Sequence, residues 1–313
     1  MIMNLQWSYN CVLSSVYNYL MFVHNEQFPF EYLYLTEDFF EFRYYNGCLT
    51  AQHPEKVSLR FLEQAGFRMA FPAIPDLEQE IFDFVDAHIN DNGPLPMGIN
   101  LRHSILDPTN FDQDYWNFQM IVKPENNRMY RMFDMFHGKF YEMDKTHLLR
   151  AIRTSFNYRL EGKFTPFMVL ERISSEPISR AIQITIPQLV CSAVESYSLK
   201  KQNLEVDKFI ETLKERYLYH NVSSLYNEIY RVMGSQIIIA NSRKCFLKTL
   251  QSIGYYRPGK MDEWIPEWEK LNMSVAGTIS RRSTEEYHRL KNKFREVLEA
   301  EFDLLHKIIR MGV

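Results

Sequence analysis

The sequence predicts an α+β protein: an N-terminal helix packed on an antiparallel sheet, followed by an all-helical C-terminal domain. Three observations carry the prediction. Residues up to about 173 mix helix-period segments with alternating ones, whereas residues from about 174 show helical period only. Hydrophobic residues make up 46% of the 313, and aromatic residues 15%, enough for a sizeable core. At this length one large or two medium domains are expected, and the change of character divides the chain into 1–173 and 174–313.

The elements follow in order. "CVLSSVYNYL" repeats apolar groups at Val12, Leu13, Val16, Tyr17 and Leu20, the spacing of a helix with one buried face. Ser8 or Asn10 is its expected cap, because a side-chain oxygen there accepts from the free first-turn N–H groups. "HPEKVSLRFLEQAGF" reads as a second helix leaving at Gly66, and "DLEQEIFDFVDAHIND" as a third. After the Gly93-Pro94 turn, "LPMGINL" reads as a strand. "WNFQMIV" alternates Trp116, Phe118, Met120 and Val122 against Asn117, Gln119 and Ile121. With "KPENN" as the turn and "RMYRMFDMF" as the return, it predicts a hairpin. His137-Gly138-Lys139 turns into "FYEM", Asp144 caps the short helix "KTHLLRAIR", and "FTPFMVLERI" is a further strand. "SSEPISR" reads as a linker.

Four helices are expected beyond the linker, in "IPQLVCSAVESYSL", "LEVDKFIETLKERYLY", "SSLYNEIYRVMGSQIIIANSRKCFLKTLQSI" and "STEEYHRLKNKFREVLEAEFDLLHKII". In the last, Leu290, Phe294, Val297, Leu298, Phe302 and Leu305 form one apolar stripe. Glu285 and Glu286 near its start, with Lys307 and Arg310 near its end, complement the helix dipole.

Composition narrows the function classes. The formal net charge of −3 gives no global attraction to nucleic acid or to an anionic membrane. The four cysteines (Cys11, Cys48, Cys191 and Cys245) are scattered without a CxxC, which fits reduced thiols better than a disulfide framework or a zinc site. The first Lys or Arg is Arg43, so the N-terminus lacks the basic region of a signal peptide, and no apolar run is long enough to span a bilayer. A cytoplasmic protein is expected. Dinucleotide, P-loop, zinc-protease, nucleophile-elbow and EF-hand spacings are absent. "SRRSTEE" and "SLKKQ" read as short basic stretches at helix ends.

The chemistry centres on Cys11. At a helix start, unpaired N–H groups and the positive dipole end favour a thiolate, which would make this side chain a nucleophile at neutral pH. The alternative is a small buried apolar residue. The later order of strand, alternating hairpin and Asp134 at the end of the hairpin's second strand bears on that choice.

Here the chain resembles the butirosin biosynthesis protein H family, whose N-terminal domain is a papain-like acyltransferase. Three stretches carry the resemblance: "YNCVLSSVYNYL", "FEYLYLTEDFFEFRYY", and the run from "PMGINLRHSILDPTNF" through "DQDYWNFQMIVKPENNRMYRMFDMFHGKF" to "YEMDKTHLLRAI". The helical second half, with "EVLEAEFDLLHKI", also looks like that family's second domain. The resemblance implies a papain-like cysteine-protease fold, with Cys11 as the nucleophile and Asp134 as the third member of a triad. The histidine that should begin the catalytic strand falls on Asn117. Asparagine orients or donates, but it accepts no proton near pH 7.

His103, in the loop before that strand, and His137, three residues past Asp134, are the surrogate bases to consider. Alternatively, a dipole-stabilised thiolate exchanges with a thioester without any base. Gln6 is placed to donate to an oxyanion, although its spacing from Cys11 is one residue short. His24, His147 and His306 read as surface or cap residues.

The implied activity is acyl transfer in natural-product biosynthesis. The acyl group would arrive on the phosphopantetheine arm of an acyl or peptidyl carrier protein, pass through Cys11 and leave on a small-molecule amine. No tightly bound cofactor and no metal are expected, and neither nucleic acid nor membrane as partner; a homodimer is left open. The alternative is a catalytically impaired relative acting as a binding or scaffolding subunit. A peptidase of the same fold is a third reading, disfavoured because amide hydrolysis needs the base that Asn117 lacks.

Overall fold

The computed structural model describes residues 5–6, 11–34, 40, 42–45, 48–51, 60–103, 116–135, 137–155, 159–160, 163–175, 178–218, 225–254 and 264–310. Helix α1 (Cys11–Phe22) is followed by a 3-10 turn at Phe30–Tyr34 and by strands β1 (Phe42–Tyr45) and β2 (Cys48–Ala51). Helix α2 (Arg60–Gln64), strand β3 (Phe67–Ala70) and helix α3 (Glu78–Asp91) come next. Strand β4 (Leu95–Asn100), a 3-10 turn at Leu101–His103, β5 (Trp116–Asn126), β6 (Met129–Asp134) and β7 (Lys139–Asp144) lead to helix α4 (Lys145–Arg153). Two short strands, β8 (Arg159–Leu160) and β9 (Lys163–Phe164), precede β10 (Val169–Arg172). The remaining helices are α5 (Ile178–Glu195), α6 (Leu199–Leu218), α7 (Leu225–Ser252), α8 (Trp264–Arg281) and α9 (Thr284–Arg310). The protein is mixed α+β, as expected. The expected caps Ser8 and Asn10 lie outside the described residues, as do 53–59 of the second expected helix.

Two compact units divide the chain: Met1–Phe28 with Leu62–Ile178, and Pro29–Phe61 with Ser179–Val313. The linear split at 173/174 therefore needs a correction, because Pro29–Phe61 belongs with the C-terminal helices. That unit is accordingly not all-helical: it includes the β1–β2 hairpin, paired from Phe42↔Ala51 to Tyr45↔Cys48. Burial explains the assignment. Phe30, Tyr32, Leu33, Phe40, Cys48 and Leu49 are all nearly inaccessible. The Tyr32 hydroxyl meets Ser252 Oγ at 2.9 Å, Lys248 donates to Glu31 at 3.0 Å, and Tyr44 N–H donates to Glu205 at 2.8 Å. Phe30, Tyr32, Leu33 and Phe40 of the aromatic segment are core of the helical unit.

The first unit is built on the antiparallel sheet β4-β5-β6-β7. Its two faces follow from strand alternation. Leu95, Met97, Ile99, Ile121, Tyr130, Met132, Tyr141 and Met143 form one, packed with Ile81, Phe82 and Val85 of α3 and Leu148, Leu149 and Ile152 of α4. Met120, Val122, Phe133 and Met135 form the other, with Leu5 and with Cys11 and Phe22 of α1. Full burial of each such large side chain contributes about 1.5–3 kcal/mol. Asp144 caps α4 as expected, accepting from His147 N–H at 2.9 Å. The hairpin turn differs from "KPENN": β5 runs on through Pro124 to Asn126, with register shifts at Ile121/Lys123 and Pro124/Asn126. Such bulges admit a proline that cannot donate to the ladder.

A smaller sheet pairs β3 with β10, from Phe67↔Arg172 to Ala70↔Val169. Gly66, at the exit of α2, has φ +80°, and a Cβ there would lie 2.6 Å from Ser174 Cβ. Its carbonyl accepts from Ile173 N–H at 2.7 Å, so the turn is fixed on both sides. Gly66→Ala is expected to destabilise the protein by at least about 1–2 kcal/mol, the left-handed penalty alone. Denaturant melts would check this; an unchanged midpoint would show that the turn relaxes freely.

Candidate functional site

Cys11 is the first residue of α1 and packs against the cluster of Leu5, Met120, Val122, Phe133 and Met135. The Phe118 backbone N–H points at its Sγ, 3.4 Å away. The residue is half-buried, and desolvation of the sulfur dominates its ionisation. Desolvation, aided by the negative charge of Asp134, outweighs the N–H groups of Phe118, Cys11 and Val12, so the thiol is pushed up to about 11 from an ordinary 9.0. The expected dipole-stabilised thiolate is thus overridden. A helix terminus contributes about 1 kcal/mol, less than one pKa unit, whereas removing an anion from water costs more.

Asn117 and Asp134, both expected around Cys11, align with the opposite face of the sheet. Asn117 pairs with Ile99, and Gln119 with Asp134. Cross-strand partners share a face, so Asn117, Gln119 and Asp134 align with the α3–α4 side, while Cys11 lies with α1 on the other. All three are nearly inaccessible, at 5%, 0% and 2% exposure. Asn117 Oδ1 and Gln119 Nε2 are buried without a hydrogen-bond partner. Gln119 Oε1 accepts from the Tyr141 hydroxyl at 3.3 Å. Burial, then the Asp134 charge, raises the Tyr141 phenol far above its usual range, which keeps it a donor.

Asp134 and His137 form a pair. Asp134 Oδ1 accepts from His137 N–H at 3.1 Å, and Oδ2 lies 2.7 Å from His137 Nδ1. The carboxylate is buried while the imidazole side chain keeps 31% of its surface exposed. This is the geometry of a base held in one orientation by an acid, and of a tight turn before Gly138, whose N–H donates to Asp134 O at 2.9 Å. His103 sits in the 3-10 turn after β4, and residues 104–115 beyond it lie outside the description.

The Gln6 backbone is held by Asn18. Its N–H donates to Asn18 Oδ1 and its carbonyl accepts from Asn18 Nδ2, each at 2.8 Å. Asn18 is seven residues along α1 from Cys11, roughly 10 Å at 1.5 Å per residue.

The structure brings Asp134 and His137 together and aligns Asn117 with Asp134 on one face of the sheet. Gln119, Tyr141 and Asn18 escaped the sequence reading. A polar residue alternating with Asn117 and Ile121 marked Gln119. Asn18, with 1% exposure, is a buried polar residue of α1 beside the equally buried Ser14 and Ser15. Among the described residues, no group of three or more His, Cys, Asp or Glu is placed to hold a metal ion, and no helix is long and apolar enough to cross a membrane. No protein-family model matches the chain, and no curated protein matches it.

Proposed function

We propose that the chain is a papain-like scaffold without a working cysteine relay, serving as a binding or scaffolding subunit beside carrier-dependent acyl transfer. A cysteine-bearing helix on an antiparallel sheet, with an acid ending the strand after Asn117, supports the architectural part of this reading, together with the resemblance to the butirosin biosynthesis protein H family. The observation that carries the functional part is the separation of faces: the neutral Cys11 thiol lies with α1, and the polar row of Asn117, Gln119 and Asp134 with α3 and α4. A cytoplasmic location fits the four cysteines, none of which is in a disulfide.

One observation favours a second reading, a cysteine acyltransferase. The Asp134–His137 pair supplies an oriented imidazole at the sheet end where β5 begins. In that reaction Cys11 Sγ attacks the carrier thioester carbonyl, its proton passes to the His137 imidazole, and the pantetheine thiol leaves. An amine then displaces the Cys11 sulfur to give an amide and restore the thiol.

Intact mass spectrometry after incubation with acyl-pantetheine thioesters and acyl carrier proteins separates the two. No covalent adduct is expected at neutral pH. An adduct that disappears in Cys11→Ala would overturn the scaffold reading and establish the transferase.

A further inference from the structure

The helical unit carries a polar cleft that the proposed function does not use. On α8, Ser274, Thr278 and Arg281 recur at the spacing of one helix face; on α9, Glu286, Arg289, Leu290 and Lys293 do the same. Together they line a cavity of about 180 Å³. Three cations face one carboxylate there, giving the lining a net charge of +2 (three minus one). Glu285, outside the cleft, also pairs with Arg289, at 2.6 Å.

The cations are positioned rather than free. Arg281 Nη2 and Arg289 Nη1 both reach Glu286, at 2.6 and 3.0 Å, so one carboxylate holds two guanidinium groups. Lys293 Nζ donates to Ser274 Oγ at 3.1 Å. A Cβ at Gly277 would lie 3.1 Å from Arg281 Nη2, so a side chain there would make the guanidinium give by a few tenths of an ångström.

We infer that this cleft binds a phosphate group. Guanidinium groups present planar, paired donors that match tetrahedral oxyanions, and an ammonium with two hydroxyls completes the lining. The charge excess comes from "SRRSTEE" and its continuation, which sequence alone assigned to a solvated helix end. The site lies in α8 and α9 and stands or falls independently of the Cys11 region.

Isothermal titration calorimetry of the full chain with inorganic phosphate, at constant ionic strength made up with chloride, tests the inference. One saturable site per chain is expected. Arg281→Gln and Arg289→Gln should each weaken it tenfold or more, the worth of a charge-assisted hydrogen bond at about 1.5–3 kcal/mol. Gly277→Ala, which keeps every charge and moves the Arg281 guanidinium by a few tenths of an ångström, should weaken it less than either arginine substitution, with circular dichroism confirming intact helices. A glycerol phosphate arm distinguishes sources: tighter binding than inorganic phosphate identifies a phosphate ester as the ligand, and equal binding identifies the free ion. No saturable binding in the wild-type chain, or binding indifferent to all three substitutions, would overturn the inference.

Discussion

Arg243→Leu is expected to cost the protein about 3–5 kcal/mol, the largest loss of stability foreseen for a single substitution in this chain. Arg243 on α7 and Glu301 on α9 are both fully inaccessible, with Nε to Oε1 at 2.8 Å and Nη2 to Oε2 at 3.2 Å. The guanidinium also donates to Phe40 O at 3.0 Å and to Ser242 Oγ at 3.3 Å, and it sits over the rings of Phe40 and Trp268. Glu301 takes a further bond from the Tyr197 hydroxyl at 3.1 Å. Each charge has been removed from water, so deleting the arginine leaves a buried carboxylate whose remaining donor in this network is a phenol.

The pair differs from its parts. Arg243→Leu combined with Glu301→Leu removes both desolvation costs and is expected to destabilise less than Arg243→Leu alone, because apolar packing replaces a buried ion pair at little net loss. Denaturant midpoints for the two single variants and the double variant check this. If Arg243→Leu shifted stability no more than an ordinary surface change, about 0.5 kcal/mol, the network would not be the anchor of the helical unit. The network also fixes Phe40, which explains why a segment close to the N-terminus belongs to this unit.

Much of the architecture is legible because period is a local signal. Leu290, Phe294, Val297, Leu298 and Leu305 are buried as their spacing demands, and α9 runs Thr284–Arg310 almost as read. Asp144 announces α4 by its capping chemistry alone. Helix α8 escaped the reading, since Pro266 and Gly277 break a propensity argument; Pro266 sits in the first turn, where its missing N–H costs little. Helices α5 and α6 begin earlier than their apolar runs, at Ile178 and Leu199, because solvated turns extend them. The β1–β2 hairpin and its membership of the second unit depend on contacts about 200 residues apart, such as Phe40 with Arg243, which no local pattern encodes.

The site was legible in residue type but not in direction. Cys11, Asn117 and Asp134 lie on the elements expected of them, yet which face each side chain takes depends on strand register. A period of two means that a shift of one residue reverses every side chain. Likewise, a helix start says only that dipoles favour a thiolate. Whether water reaches the sulfur is decided by Leu5, Met120 and Phe133, residues far apart in sequence.

Cys11 is expected to react with iodoacetamide about a hundredfold more slowly at pH 7 than an ordinary thiol. Only the thiolate is nucleophilic, and moving the group from 9.0 to about 11 lowers its thiolate fraction at neutral pH by two powers of ten. The sign follows from burial: the folded state favours the protonated sulfur, so the rate should keep rising with pH through 9 and 10 instead of levelling near 7. Asp134→Asn removes the second cause of the shift and should speed alkylation, whereas Met120→Ala admits water and should speed it more, since desolvation is the larger influence. Peptide mapping of the alkylated protein assigns the rate to Cys11. A plateau near neutral pH, with rates above those of a free thiol, would mean that the N–H groups of Phe118, Cys11 and Val12 prevail over desolvation, and the transferase reading would then take precedence.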